Sequence, residues 1–384
     1  MTVITYNQIT RNWTHPAYNF HFGRGTVMVA SPAPSISFVM QRQGERVGPL
    51  VGILTSRSST GKICGDWKRF ARLQKELRLR GGISFVFTPE DIYDSVITGY
   101  VFLENETWRA CSFPYPDVVY NRIPYRSHEK RESCQHALSL FTSMGISVVN
   151  PYFFSKWDVH KTLYQNEKVR PFLLPTFLLD GERLTSMLQS HKSLYVKHCE
   201  SSKGKNLYFM RYAQGEVAIT SANGTTVHSK LSEAWDLIAG NAMYLAQPAL
   251  DYDTYHNRKY DLRILVHSLS GSFTITGVGI RVAAIDQITT HVHNGGERIH
   301  ETELSRPIRH DILAELVQQC GNSLCRHFGN VREFSMDIGI DKQGNYFIYE
   351  CNAKPMIFDE KEITMRAIEN IVTIFEEEAF ASDS

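Results

Sequence analysis

The first fifty residues alternate short apolar runs with polar, Gly and Pro breaks, as in GTVMVASPAPSISFVMQRQG (25–44). This pattern predicts short strands joined by turns. GPLVGILT (48–55) then reads as a buried strand, the stretch from Asp66 to Arg80 as a helix, and GGISFVFTP (81–89) as another strand. A strand, helix and strand in that order predict a small α/β unit with parallel pairing. DVVYNRIP (117–124) adds a further strand that Pro124 helps to end, and SHEKRESCQHALSLFTSMG (127–145) has helical periodicity with a stop at Gly145. We expect a domain boundary near residue 125.

In the C-terminal half the best-defined helical stripe runs through SRPIRHDILAELVQQCGNSLCRHFGN (305–330), with Ile308, Ile312, Leu313, Leu316, Val317, Cys320, Leu324 and Phe328 on one face. Ser305 is the expected cap, Pro307 fits the first turn, and Gly329 supplies the stop. A last helix is expected over 360–380.

Between these helices two strands read as a hairpin. In FSMDIGI (334–340) Phe334, Met336, Ile338 and Ile340 share one face and Asp337 takes the other. In YFIYECN (346–352) alternation places Ile348, Glu350 and Asn352 together, with Phe347, Tyr349 and Cys351 pointing away. A four-residue loop, KQGN (342–345), sets Asp337 opposite Glu350, with Asn352 one step along the same face. Two carboxylates and an amide converging in this way fit either a solvated acidic edge or a site for a hard cation such as Mg²⁺.

Composition narrows the classes. Apolar residues make up 42% of the 384 and charged residues 21%, with a net charge of +1. Nothing in that balance favours nucleic acid or a membrane surface. Seven cysteines without a C-x-x-C pair fit a reduced, intracellular chain, and no apolar stretch is long enough to span a bilayer. MTVITYNQITRNWTH lacks the apolar run of a secretory signal, so the expected location is the cytoplasm.

Cations recur upstream of the hairpin. Lys197 interrupts a strand before the flexible ESSKGKN, and Asp261, Arg263 and Arg281 sit within otherwise apolar strands, where charges need partners. A structural Asp–Arg pair accounts for two of these and leaves Arg281 over. His291 and His293 alternate on one candidate strand, too little for a zinc site. Arg122 and Arg126 in YNRIPYR suit either an anionic substrate or surface salt bridges.

The ordered set SKWDVHK, YVKHCESSKGKN, AQPAL, YDLRILV, GIRVAA, MDIGID and YECNAKP resembles the ATP-grasp superfamily over roughly residues 125–380. Within it the chain is most similar to the YheC/YheD family, described as spore-coat-associated proteins of endospore-forming bacteria, a likeness that takes in VGPLVGILT and PDVVYNRIPYR. The resemblance implies an α/β (α+β) ATP-grasp fold, with two α+β subdomains gripping the nucleotide over 126–384 and a lid at about 175–245. A smaller pre-ATP-grasp-like α/β domain would precede it over 1–125.

It also implies roles. Lys156, with Lys161 as a poorer substitute, and Lys197 would reach the phosphates, and Ser202 and Gly204 would belong to the loop that closes over them. Gln247, Pro248, Ala249 and Leu250 would read the adenine edge. Asp261, with Asn294 beside Gly295 and Gly296, would line the nucleotide. Arg281, Lys197 and Arg263 would act in catalysis. Asp337, Glu350 and Asn352 would hold Mg²⁺, with Mn²⁺ as an alternative. Lys354 stands where the family commonly has a small residue.

The implied activity is an ATP- and Mg²⁺-dependent ligase. It would join a small-molecule or peptide carboxylate to an amine or thiol through an acyl phosphate, with spore-coat proteins as the implied partners. A phosphotransferase and a non-catalytic coat protein are the alternatives.

Overall fold

The computed structural model describes all residues except 30–34, 202–205, 239–242, 286, 288–289, 291–294, 357 and 382–384. Strands β1–β6 (Thr2–Asn7, Trp13–His15, Phe20–Phe22, Gly25–Val29, Ser35–Gln43, Arg46–Gly48) close into a barrel in the order β1-β2-β4-β3-β6-β5. The alternation of the first fifty residues thus becomes a small barrel filled by Trp13, Phe22, Phe38 and Met40, a closure that no local pattern specifies.

Next come β7 (Leu50–Leu54), α1 (Trp67–Leu79), β8 (Ile83–Phe87), β9 (Ile97–Phe102), β10 (Trp108–Phe113) and β11 (Val118–Asn121). Two short helices, α2 (Arg126–Glu129) and α3 (Glu132–Ser143), lead to β12 (Ser147–Val149). The sheet order is β10-β9-β8-β7-β11-β12, with β7 parallel to both β8 and β11. Asp66, expected as the first helical residue, instead caps α1 by accepting the Arg69 N–H. The helix expected over 127–145 is broken at Lys130–Arg131, because the short first piece is anchored through its own side chains (below).

The third sheet follows α4 (Lys156–Tyr164) and comprises β13 (Phe177–Leu178), β14 (Ser193–His198), β15 (Leu207–Ala213), β16 (Glu216–Ser221), β17 (Gly224–His228) and β18 (Tyr244–Pro248). Helices α5 (Gly181–His191) and α6 (Leu231–Ile238) cover it. The fourth sheet has the order β22-β21-β20-β23-β24, with β19 (Thr254–Tyr255) on β20. Its strands are β20 (Arg258–Leu269), β21 (Ser272–Val282), β22 (Glu297–Ile299), β23 (Glu333–Ile340) and β24 (Tyr346–Asn352).

Helix α7 (His310–Phe328) packs Leu313, Leu316, Val317, Cys320 and Leu324 onto Phe334, Met336, Ile338 and Ile340. Ser305 does not cap it and Pro307 lies outside it. The Arg309 N–H is instead donated to Tyr346 Oη at 2.8 Å, and Ile308 is buried ahead of the first turn. Helix α8 (Lys361–Phe380) sits between the two halves, with Ile371, Val372 and Phe375 against Phe70, Leu73, Leu77 and Tyr120. No helix among the described residues is long and apolar enough to cross a membrane.

The halves are also joined by a buried charge. Glu333, fully buried at the start of β23, accepts from Arg69 Nη2 at 2.6 Å, Tyr120 Oη at 2.7 Å and Arg122 Nη1 at 3.3 Å. Burial by itself would raise the Glu333 pKa; Arg69, then His267 and Arg122, overcome it and hold the carboxyl well below the ordinary range. A carboxyl with a depressed folded pKa contributes stability that is present above its unfolded pKa and lost as pH falls below it. Glu333→Gln leaves two guanidiniums uncompensated and should lower the unfolding midpoint at pH 7 by an amount worth about 3 kcal/mol. It should also flatten the loss of stability below about pH 4.3, read by urea unfolding at several pH values.

Candidate functional site

On a twisted sheet, residues in register across adjacent strands share a face. Gly279 on β21 pairs with Arg263 on β20, Arg263 with Asp337 on β23, and Asp337 with Glu350 on β24. One step along, Asp261 pairs with Arg281. Four strands thereby deliver a row of charge to one face, while α7 fills the other.

The predicted opposition of Asp337 and Glu350 is present, by a different route. The loop is one residue longer, 341–345, and a bulge at Tyr349 restores the pairing. The bulge also reverses the parity of β24. Ile348 faces the core with Cys351, and Tyr349 turns to the side of Glu350, so both expectations are corrected. Gly339 makes room for the ring: a Cβ there would lie 2.1 Å from Tyr349 Oη.

The cations arrive from other elements. Ser155 caps α4, and Lys156 from its first turn reaches Glu350 Oε2 at 3.3 Å and the Ser201 carbonyl at 2.6 Å. Lys161 instead pairs with Asp158 on the exposed side of α4. Lys197 donates to Gln247 Oε1 at 2.8 Å and lies 5.6 Å from the Tyr349 ring centre. Burial lowers the Lys197 ammonium to about 8, against the pull of Glu350.

Glu350 is held down at about 2. Its burial is outweighed by Lys156 and Lys197 and by the Asn352 amide, which donates to it at 2.8 Å. Arg263 lies 3.4 Å from Asp337. Arg281 grips Glu360 at 2.5 and 3.0 Å, a partner that the sequence reading assigned only to a helix start. Asp261 is buried, which raises its pKa, and accepts from Thr290 at 2.5 Å.

In the linker, Gln247 also donates to Thr176, Pro248 pairs with Leu194, Ala249 gives its N–H to the Ser193 carbonyl, and Leu250 is half-buried. Ala249 therefore has no amide left for a base edge. Ser202, Gly204, Asn294, His291 and His293 lie outside the described residues.

Two groups were missed. Lys259 lies two positions before Asp261, and strand alternation alone could have placed it on the same face. Its ammonium sits 4.8 Å from the Tyr195 ring centre, 5.0 Å from that of Tyr349 and 5.7 Å from that of Tyr252. Tyr349 itself was hidden by the bulge. Three further cations are spent on holding the fold: for Arg122 and Arg126 the salt-bridge and backbone alternative to a substrate contact is the one present, and the bulky Lys354 has a partner of its own. Arg122 serves Glu333 and the Pro355 carbonyl, and Arg126 the carbonyls of Phe153 and Phe154. Lys354 is buried and bonded to Glu129 at 2.5 Å and Asn121 at 2.8 Å.

The donor set suits a hard divalent cation. Among the described residues no group of three or more His, Cys, Asp and Glu is placed for a metal, but two opposed carboxylates with an amide beside them are oxygen donors of the Mg²⁺ type.

A model of the YheC/D-like ATP-grasp family matches residues 145–376. The chain belongs to this ATP-grasp family. It is 26% identical over 332 residues to the endospore coat-associated protein YheD of Bacillus subtilis (strain 168), covering 80% of this chain and 73% of that protein. To YheC of the same organism, also named endospore coat-associated, it is 20% identical over 301 residues, covering 71% and 81%. Among solved structures, D-alanyl-alanine synthetase A from Vibrio cholerae O1 biovar eltor str. N16961 superposes with a TM-score of 0.51 at 12% identity, covering 87% of this chain and 98% of that one. That likeness bears on the fold alone: the chain is an α+β ATP-grasp protein.

In this family member the Gly339–Tyr349 contact offers a direct check on the bulge. Gly339→Ala should destabilise the chain by about 1–3 kcal/mol through overpacking, seen as a lower urea midpoint, and pairing it with Tyr349→Ala should remove the steric part. An unchanged midpoint for the single variant would mean that the ring does not pack there.

Proposed function

We propose that the chain is an ATP- and Mg²⁺-dependent ligase that joins a carboxylate to an amine or thiol. The observation that carries this reading is the in-register row Arg263–Asp337–Glu350, with Lys156 and Lys197 held against it from two other elements. When bound, Mg-ATP supplies the phosphoryl group that turns the acid into an acyl phosphate, from which the nucleophile displaces phosphate.

Asp337, Glu350 and Asn352 would hold the metal, and Mn²⁺ would satisfy the same donors. Lys156 and Lys197 would bind the phosphates, releasing contacts that they now make with Glu350, Ser201 and Gln247. Arg263 and Arg281 would balance charge where the phosphoryl group moves, acting by position and electrostatics. Asp261 and the linker 247–250 would line the nucleoside, with the Lys259–tyrosine cluster beside them. The loop containing Ser202 and Gly204 would exclude water from the activated acid, and Asn294 would lie beside the phosphates.

We further infer a division of labour: 1–125 for the acid, 126–384 for the nucleotide, and about 175–245 as the lid. β12 and α8 tie these parts together. The names of YheD and YheC suggest a peptide or coat-protein substrate in a spore-forming cell, and cytoplasmic or coat-bound residence.

Glu350→Gln should keep the fold and cut ATP turnover by at least about a hundredfold, measured as ADP formed with an acid panel and hydroxylamine as nucleophile. Full activity in that variant would sink the metal assignment. Free phosphate that appears only with acid and nucleophile together supports the ligase; phosphate left on the substrate supports a kinase; and failure to bind Mg-ADP supports a non-catalytic role.

A further inference from the structure

The first α/β sheet has a feature that the nucleotide site does not use. From β7 the chain passes through α1 to β8 on one side, while β11 lies parallel on the other. The strand order therefore reverses at β7, and ligands of open parallel sheets bind beyond the carboxyl ends of the strands at such a point. β7 runs on there into Thr55, Ser56 and Arg57, and β11 into the segment 122–131.

That place is furnished with donors. Ser56 is buried, and its Oγ lies 2.8 Å from His128 Nδ1. With the hydroxyl donating to Nδ1, the ring carries its proton on Nε2, and that nitrogen has no acceptor among the described residues. Arg131 gives one N–H to the Arg57 carbonyl at 2.7 Å and has no carboxylate partner among the described residues. Neighbouring acids are already committed: Asp91 and Glu90 to Arg57 at 2.7 and 4.0 Å, Glu129 to Lys354, and Glu200 to Lys130 at 2.7 Å. Among the described residues the Arg131 guanidinium is thus left without a carboxylate of its own.

It also adjoins the nucleotide site. Lys130 fastens the 125–131 segment to Glu200, next to Ser201, whose carbonyl holds Lys156. Arg126 fastens it to the two carbonyls just ahead of Ser155 and Lys156.

We propose that this crevice binds a second anionic group of the acid substrate, a carboxylate distinct from the one activated, through His128 Nε2 and the Arg131 guanidinium. Ser56 is a positioning residue that fixes the imidazole. The proposal deepens the ligase reading and rests on it: the substrate class becomes a dicarboxylic acid or acidic peptide.

The test uses the full chain with Mg-ADP and two probes of matched shape, N-acetyl-L-glutamate and N-acetyl-L-glutamine, titrated by calorimetry. The glutamate probe should bind at least about tenfold more tightly, as expected for a charge-assisted contact. Arg131→Met should erase that preference with the Mg-ADP affinity unchanged, and Arg131→Lys, which keeps the charge without the fork, should retain part of it. Equal binding of the probes, no binding of either, or equal weakening of both by Arg131→Met overturns the subsite.

Hydroxamate formation from each probe with Mg-ATP and hydroxylamine separates the two readings. A charge preference in binding with no hydroxamate upholds the subsite and removes the ligase. Hydroxamate formed equally from both probes, in wild type and Arg131→Met alike, upholds the ligase and removes the subsite.

Discussion

Everything at the candidate site hangs on how β23 and β24 are fixed to the rest of the chain, and the buried Glu333 carboxylate is where that happens. A bare carboxylate in this interior carries a desolvation cost of several kcal/mol, so it persists only because Arg69, Tyr120 and Arg122 meet it from the first α/β unit. Asn150, buried with a left-handed backbone, clamps the same point. Its amide oxygen accepts the Arg332 and Glu333 N–H groups, and its nitrogen donates to the carbonyls of Glu333 and Ala353. The hairpin that carries Asp337, Glu350 and Asn352 is therefore held at both ends by residues far away in sequence.

From that anchor the charged row follows. Asp337 stands four residues along β23, and the pairing of β20, β23 and β24 brings Arg263 and Glu350 to its sides. Lys156 and Lys197 then have a reason to be half-buried: each offsets the carboxylates, and Glu350 in turn keeps Lys197 from losing more of its proton affinity. The same charges that make the site costly without ligand are those that the proposed metal–phosphate group would offset.

Much of this was legible because the relevant signals are local. Alternation in FSMDIGI put Asp337 opposite the apolar face, and the order of seven short motifs named the family. The errors came from places where one residue changes the rule. The bulge at Tyr349 reversed the parity of half a strand, and alternation has no means of announcing it. Ser305 looked like a cap because Ser and Pro precede a clean stripe, yet Tyr346 from the hairpin takes the Arg309 N–H and delays the helix. For Arg122 and Arg126 the pattern left a substrate and a salt bridge equally open, because their partners, Glu333 and two carbonyls, are distant along the chain or belong to the backbone, and the Glu129 partner of Lys354 is equally far from it in sequence.

The sequence by itself determined where the strongly periodic elements lie, the faces of β23 and α7, and the acid–amide pair with its family. Those properties depend on periods of two and 3.6 residues and on neighbours a few positions apart. Only the tertiary structure decided the closure of the first six strands into a barrel and the clamp on Glu333. It alone decided the bidentate grip of Glu360 on Arg281 and the enclosure of Lys259 by three tyrosines. Each of these joins groups whose meeting depends on strand order and burial, and the free energy of a buried charge is set by what surrounds it in space rather than along the chain.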